Sequence, residues 1–171
     1  ITSMAKKNLP ASEVPFFLGA GCYFHHIPAT VDHIIQRSEF LTSYTPYQPE
    51  ISQGTLTVIF EFQTMIANLT GMDIANASMY DGATATAEAV LMAKRITKRP
   101  NIIIHGALHP EYREVVDTYI CNYPDMKIVS GEPDANTSCV IVQTPDFHGV
   151  PHKLDALRKK CDEAGALLVV V

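Results

Sequence analysis

From residue 56 onward, apolar side chains recur at helical spacing, at Leu56, Ile59, Phe62, Ile66 and Leu69, and Gly71 stands where a left-handed C-terminal cap closes such a helix. The pattern predicts one long helix ending near residue 70. Upstream, "IPATVDHIIQRSEF" places Pro28 at the start of a short helix whose apolar face is Val31, Ile34 and Ile35. Between the two, "SYTPYQPEISQG" packs two prolines, two tyrosines and a glycine into twelve residues, a composition that predicts an ordered loop without periodic structure. After residue 72 the pattern changes to alternating strands and helices. "NIIIHG" and "CVIVQTP" are short β-branched runs, each followed by a loop and a helix expected to begin at a proline, Pro110 and Pro151 respectively, and "KIVS" is a weaker strand between them. Leu154, Leu157, Cys161 and Ala164 form a helical stripe, Gly165 supplies a stop, and "ALLVVV" reads as a strand apolar on both faces, the mark of a central parallel strand covered by helices. The expected organisation is therefore a helical and extended segment over 1–72, then a partial α/β domain with a mostly parallel sheet over 73–171. The chain stops inside its last strand, where an open sheet of this kind places a functional loop, so it reads as a fragment.

Composition narrows the class. The 171 residues are 47% hydrophobic and 18% charged, enough to bury a core, and the net charge of -5 leaves no Lys/Arg stripe for nucleic acid. The densest basic run, residues 158–160, falls on the expected solvent face of the last helix. Cys22, Cys121, Cys139 and Cys161 lie far apart with no CxxC pair, which points to reduced, mostly buried thiols in a cytoplasmic protein. No apolar run reaches membrane-spanning length, and no basic-then-apolar leader stands at the start. His25 and His26 are adjacent and have no Cys, Asp or Glu at ligand spacing, so they read as a hydrogen-bonded pair and no metal site is expected.

Two stretches carry candidate chemistry. In "MYDGATATAEAVLMAKR", Asp81 can cap a helix, Gly82 allows a close turn, and Thr84 and Thr86 bring hydroxyls to a first turn that has unpaired N–H groups. Such an end can bind an anion, but the Asp81 carboxylate puts negative charge where the anion would sit. In 44–50, Tyr44, Thr45, Tyr47, Gln48 and Glu50 gather rings, donors and acceptors on one loop. They serve either as packing staples on the long helix or as part of a binding surface.

The runs "FLGAGCYFHHIPATVDHIIQRSEFLTSYTPYQPEISQGTL" and "FEFQTMIANLTGMDIANASMYDGATATAEA" resemble the subunit 1 (alpha) form of the P-protein family, glycine dehydrogenase (decarboxylating), of the glycine cleavage system. The resemblance implies the aspartate-aminotransferase fold (fold type I), in which pyridoxal phosphate (PLP) sits at the C-terminal edge of the sheet. It also implies that the PLP-binding lysine belongs to a partner, subunit 2 (beta), so that this chain binds no cofactor covalently. On that footing glycine is decarboxylated in the partner's site and its aminomethyl group passes to the lipoyl arm of the H-protein. Asp81, Gly82 and Thr84 would then be a degenerate phosphate cup, and His109 the relic of a histidine that stacks on PLP. Phe147 and Gly149 would do turn and packing work, and residues 44–50 would reach the neighbouring active site across the subunit interface. A purely structural partner of the catalytic subunit, and a PLP-fold enzyme of another family, remain as alternatives.

Overall fold

The computed structural model describes residues 1–17, 24–41 and 44–171, and divides the chain into two compact units, Ile1–Thr70 and Gly71–Val171. Cys22 and Ser43 lie outside the described residues.

The first unit holds helices α1 (Thr2–Ala5), α2 (Ala29–Ile35) and α3 (Gln53–Thr70), with single 3-10 turns at Ala11–Glu13 and Pro49–Ile51. Pro28 is the N-cap of α2, but Val31, Ile34 and Ile35 are exposed, so the expected apolar face meets no core. The segment expected to be wholly aperiodic contains the Pro49–Ile51 turn, and α3 begins inside it at Gln53. Pro49 fixes the φ that starts that turn, and the Ser52 carbonyl already accepts from the Leu56 N–H. Along α3, Leu56, Ile59 and Ile66 are half-buried while Phe62 and Leu69 are exposed, and Gly71 closes the helix at φ +70°. His25 and His26 are both exposed.

The second unit runs α4 (Gly82–Thr97), β1 (Asn101–His105), α5 (Pro110–Ile120), β2 (Lys127–Val129), β3 (Thr137–Val142), α6 (Leu154–Ala164) and β4 (Leu167–Val170). Its sheet is parallel throughout, in the order β2-β1-β3-β4. Strand alternation divides the core in two. Ile102, Cys139 and Ile141 face Ala87, Val90 and Ala93 of α4 and Val116 and Ile120 of α5. Ile103, Val140 and Val142 face Leu157 and Cys161 of α6 on the other side. Helices therefore cover both faces, and the alanines of α4 let its backbone approach the sheet closely.

Two expectations need correction. The last strand is not central in this chain. The central place between β1 and β4 is taken by β3, buried at all six positions, while β4 pairs on one side and is only half-buried. Nor does α6 begin at Pro151. Residues 150–152 are still engaged in the preceding loop, with the Val150 N–H donating to Asp146 and the His152 N–H to Thr144 Oγ1, so the helix starts after Lys153. The basic run at 158–160 is exposed and paired: Arg158 with Asp162 at 2.6 Å, Lys160 with Glu132 at 2.8 Å. Among the described residues no helix is long and apolar enough to cross a membrane.

Candidate functional site

The strand order alone defines a candidate ligand position. From β1 the chain crosses through α5 on one face to reach β2, and from β3 it crosses through α6 on the other face to reach β4. The connections diverge between β1 and β3, and the C-terminal ends of strands at such a switch point are where open α/β sheets bind ligands. α4 and α5 point their N-termini toward the same edge.

The two loops at this edge are laced together. The Phe147 N–H donates to the Ala107 carbonyl at 2.8 Å, and the His109 N–H donates to Gln143 Oε1 at 2.8 Å. Asp146 organises the second loop: Oδ1 accepts from the His148 and Val150 N–H groups at 2.9 and 3.0 Å, and Oδ2 lies 3.1 Å from His152 Nε2. The Val150 N–H above all, helped by His152, holds the Asp146 carboxyl down from its ordinary 3.8 to about 2. The His152 ring lies over Gly106, where φ is +75° and an added Cβ would come within 2.7 Å of Nε2, and meets the His105 ring edge-on at 5.4 Å. A side chain at 106 would both strain the backbone and displace that ring.

At the N-terminus of α4, Asp81 and Thr84 form a complete capping box. Asp81 Oδ1 accepts from the Thr84 N–H at 2.8 Å and from the Thr84 hydroxyl at 2.8 Å, and the Thr84 N–H is the chief cause that holds the carboxyl below its usual range. The Thr86 hydroxyl turns back to the Gly82 carbonyl at 2.7 Å, so neither threonine hydroxyl is turned outward to a ligand. Gly82 is approached by Tyr112 of α5: an added Cβ would collide with the Tyr112 hydroxyl and stand 2.8 Å from its Cζ. His109 caps α5, its Nδ1 accepting from the Glu111 N–H at 3.2 Å. Its ring centroid lies 5.2 Å from that of Tyr112 and 5.0 Å from that of Phe147.

Asp81, Gly82, Thr84 and His109 thus meet at one edge, with Tyr112 between them. Tyr44, Thr45, Tyr47, Gln48 and Glu50 belong to the first unit, and all five are exposed there. In that loop the Tyr47 N–H donates to the Thr45 carbonyl and Gln53 Nε2 to the Glu50 carbonyl. Neither tyrosine ring of this loop is buried against α3. Tyr112, Gln143, Asp146 and His152 escape sequence reasoning. The "PDFHG" run carried a turn signal that points to Asp146, since an Asx carboxylate commonly accepts from the N–H two residues on. Tyr112 carried none, because an aromatic residue on a helix reads as core. Among the described residues no three His, Cys, Asp or Glu gather at metal-ligand distance.

The PLP phosphate does not fit the residues present. At the N-terminus of α4 the Asp81 carboxylate already holds the Thr84 N–H, its charge repels a phosphate, and Tyr112 stands against the backbone at Gly82.

The family model described as "Glycine cleavage system P-protein" matches residues 1–171. The chain is 58% identical to a probable glycine dehydrogenase (decarboxylating) subunit 1 from Methylocella silvestris, covering 100% of this chain and 41% of that protein. It is 55% identical to the protein of the same name from Azorhizobium caulinodans, over 99% of this chain and 40% of the relative. A crystal structure of glycine decarboxylase (P-protein) in inhibitor-bound form superposes with a TM-score of 0.86 at 44% identity, over 99% of this chain and 40% of that one. The chain spans about two fifths of the length of these relatives. Sequence and fold agree along its whole length, and the chain belongs to the glycine cleavage system P-protein family.

Proposed function

We propose that this chain is part of subunit 1 of a glycine dehydrogenase (decarboxylating), the half that does not carry PLP. One observation carries the reading: 58% identity to a protein named subunit 1, over the chain's full length. The carboxylate of Asp81 at the N-terminus of α4 supports the non-PLP assignment, because it occupies the helix end a phosphate would need. On this reading the partner is a PLP-bearing subunit 2, and PLP bound there would supply the electron sink that decarboxylation of glycine requires. The aminomethyl group then passes to the lipoyl arm of H-protein in the cytoplasm.

The contribution of this chain to that site is the loop at residues 44–50. Tyr47 offers a rigid ring and a hydroxyl, Gln48 can donate and accept, and Pro46 and Pro49 limit the loop's freedom. Exposure of both tyrosines in this chain favours an outward-facing role over a packing one. The test is kinetic. In the assembled full-length heteromer, Tyr47→Phe or Gln48→Ala should slow glycine decarboxylation tenfold or more, about 1.4 kcal/mol in barrier, with assembly unchanged. Wild-type turnover by both variants would make the chain a structural partner alone.

A further inference from the structure

We propose that Tyr112 is an internal plug which, with Asp81, closes the ligand position at the switch point of this chain to phosphorylated ring compounds such as PLP. This deepens the non-PLP reading and rests on it.

Two things are needed to hold a phosphorylated ring at the C-terminal edge of a parallel sheet. The phosphate takes the N–H groups of a helix N-terminus, and the ring takes a flat side-chain face. Here both are filled by the chain itself, and Tyr112 takes part in each. Its hydroxyl end lies against Gly82, the first residue of α4, so closely that even a methyl group there would overlap it. Its ring is tilted 36° to that of His109 at 5.2 Å, on the histidine a ligand ring would use, and Phe147 meets the same histidine edge-on at 5.0 Å. Asp81 completes the closure from the other side by holding the Thr84 N–H with a carboxylate. A hydroxyl, an aromatic ring and a carboxylate thus stand where a phosphate, a cofactor ring and the phosphate's amide donors would meet. The glycine at 82 has a different function from that in an anion cradle: it makes room for the tyrosine.

The test uses the full-length subunit, with PLP, pyridoxal and inorganic phosphate as probes. Asp81→Ser with Tyr112→Ala should bind PLP and inorganic phosphate at least tenfold more tightly than wild type does, with a smaller gain for pyridoxal, which can use the freed ring position but lacks the phosphate. Tight PLP binding by the wild type would overturn both the plug and the non-PLP reading. A folded double variant that gains nothing, beside a wild type that binds no PLP, would overturn the plug alone. If the double variant does not fold, Gly82→Ala decides. A glycine-to-alanine change in a first helical turn is ordinarily neutral or stabilising. Here it should lower the melting temperature by about 2 °C or more. The loss should vanish when Tyr112→Ala is made as well. A Gly82→Ala change that is neutral in the wild type would mean that Tyr112 does not occupy the site.

Discussion

The Asp146 side chain is only 8% exposed, yet it takes two backbone N–H groups and the His152 ring, and the loop it organises is the one that laces β3 to β1. A carboxyl held down to about 2 contributes stability that is fully present above its ordinary 3.8 and is lost as pH falls through 2. As pH drops from 4 to 2, amide protection at His148 and Val150, taken relative to the intrinsic exchange rate at each pH, should therefore fall more than protection in β3. Asp146→Asn keeps an acceptor oxygen but has no proton to gain, so it should remove that loss of protection from the window. Equal pH dependence in wild type and variant would detach the loop from this carboxyl. Cys139 sits at the other extreme. Burial in β3 pushes its thiol up to about 11, and burial also raises Cys161. Of the described thiols, only Cys121 is exposed. Brief alkylation at pH 8 followed by peptide mass analysis should mark Cys121 well before Cys139 or Cys161. Labelling of Cys139 at the rate of Cys121 would contradict the packing of the strand.

Among the elements, α6 is held to the sheet at its C-terminal end by a residue from outside it. Arg99, just before β1, donates from Nη1 to the Ala164 and Gly165 carbonyls at 2.8 Å each and to the Thr137 carbonyl at 3.3 Å. A guanidinium there satisfies carbonyls that the helix end leaves open and complements its negative pole. Arg99→Ala should cost about 1.5–3 kcal/mol, and Arg99→Lys should recover only part of it, because an ammonium lacks the planar fork. Urea unfolding of both variants measures this, and a full recovery by lysine would show that charge alone matters. This tie cannot be read from the sequence, since residues 99 and 164 meet only once the sheet has formed. The same limit explains what the pattern predicted and what it missed. α3 and β3 were legible because each repeats one spacing over several turns or residues. Asp81 was legible as a cap because its partner is three residues away. The place of β4 was not, because apolar faces tell how a strand is covered but not which neighbours it takes. Tyr112 against Gly82, and Asp146 with His152 across Gly106, depend on two loops meeting at a switch point that only the strand order defines.

At the scale of the whole molecule, the two units differ in how their order is maintained. The unit Gly71–Val171 buries valines, isoleucines and alanines on both faces of its sheet, each large side chain giving roughly 1.5–3 kcal/mol on burial. Among the described residues of Ile1–Thr70, only Ser52 is buried. Phe17, Phe24, Phe60, Leu69 and both tyrosines of the 44–50 loop face outward. Ordering a residue's backbone costs about 1–2 kcal/mol, so a unit whose described residues bury no large apolar side chain needs a surface that covers it. On the reading of a two-subunit enzyme, that surface belongs to subunit 2, which would gain an apolar interface and bring the 44–50 loop to its own site in one step. Limited proteolysis distinguishes the possibilities. In the full-length subunit alone, cleavage should begin within residues 1–70 while 71–171 resist. Adding subunit 2 should slow the early cuts at least tenfold and leave later ones unchanged. If residues 1–70 resist equally with and without subunit 2, the covering surface lies within subunit 1 itself, and the loop reaches no neighbouring site by this route.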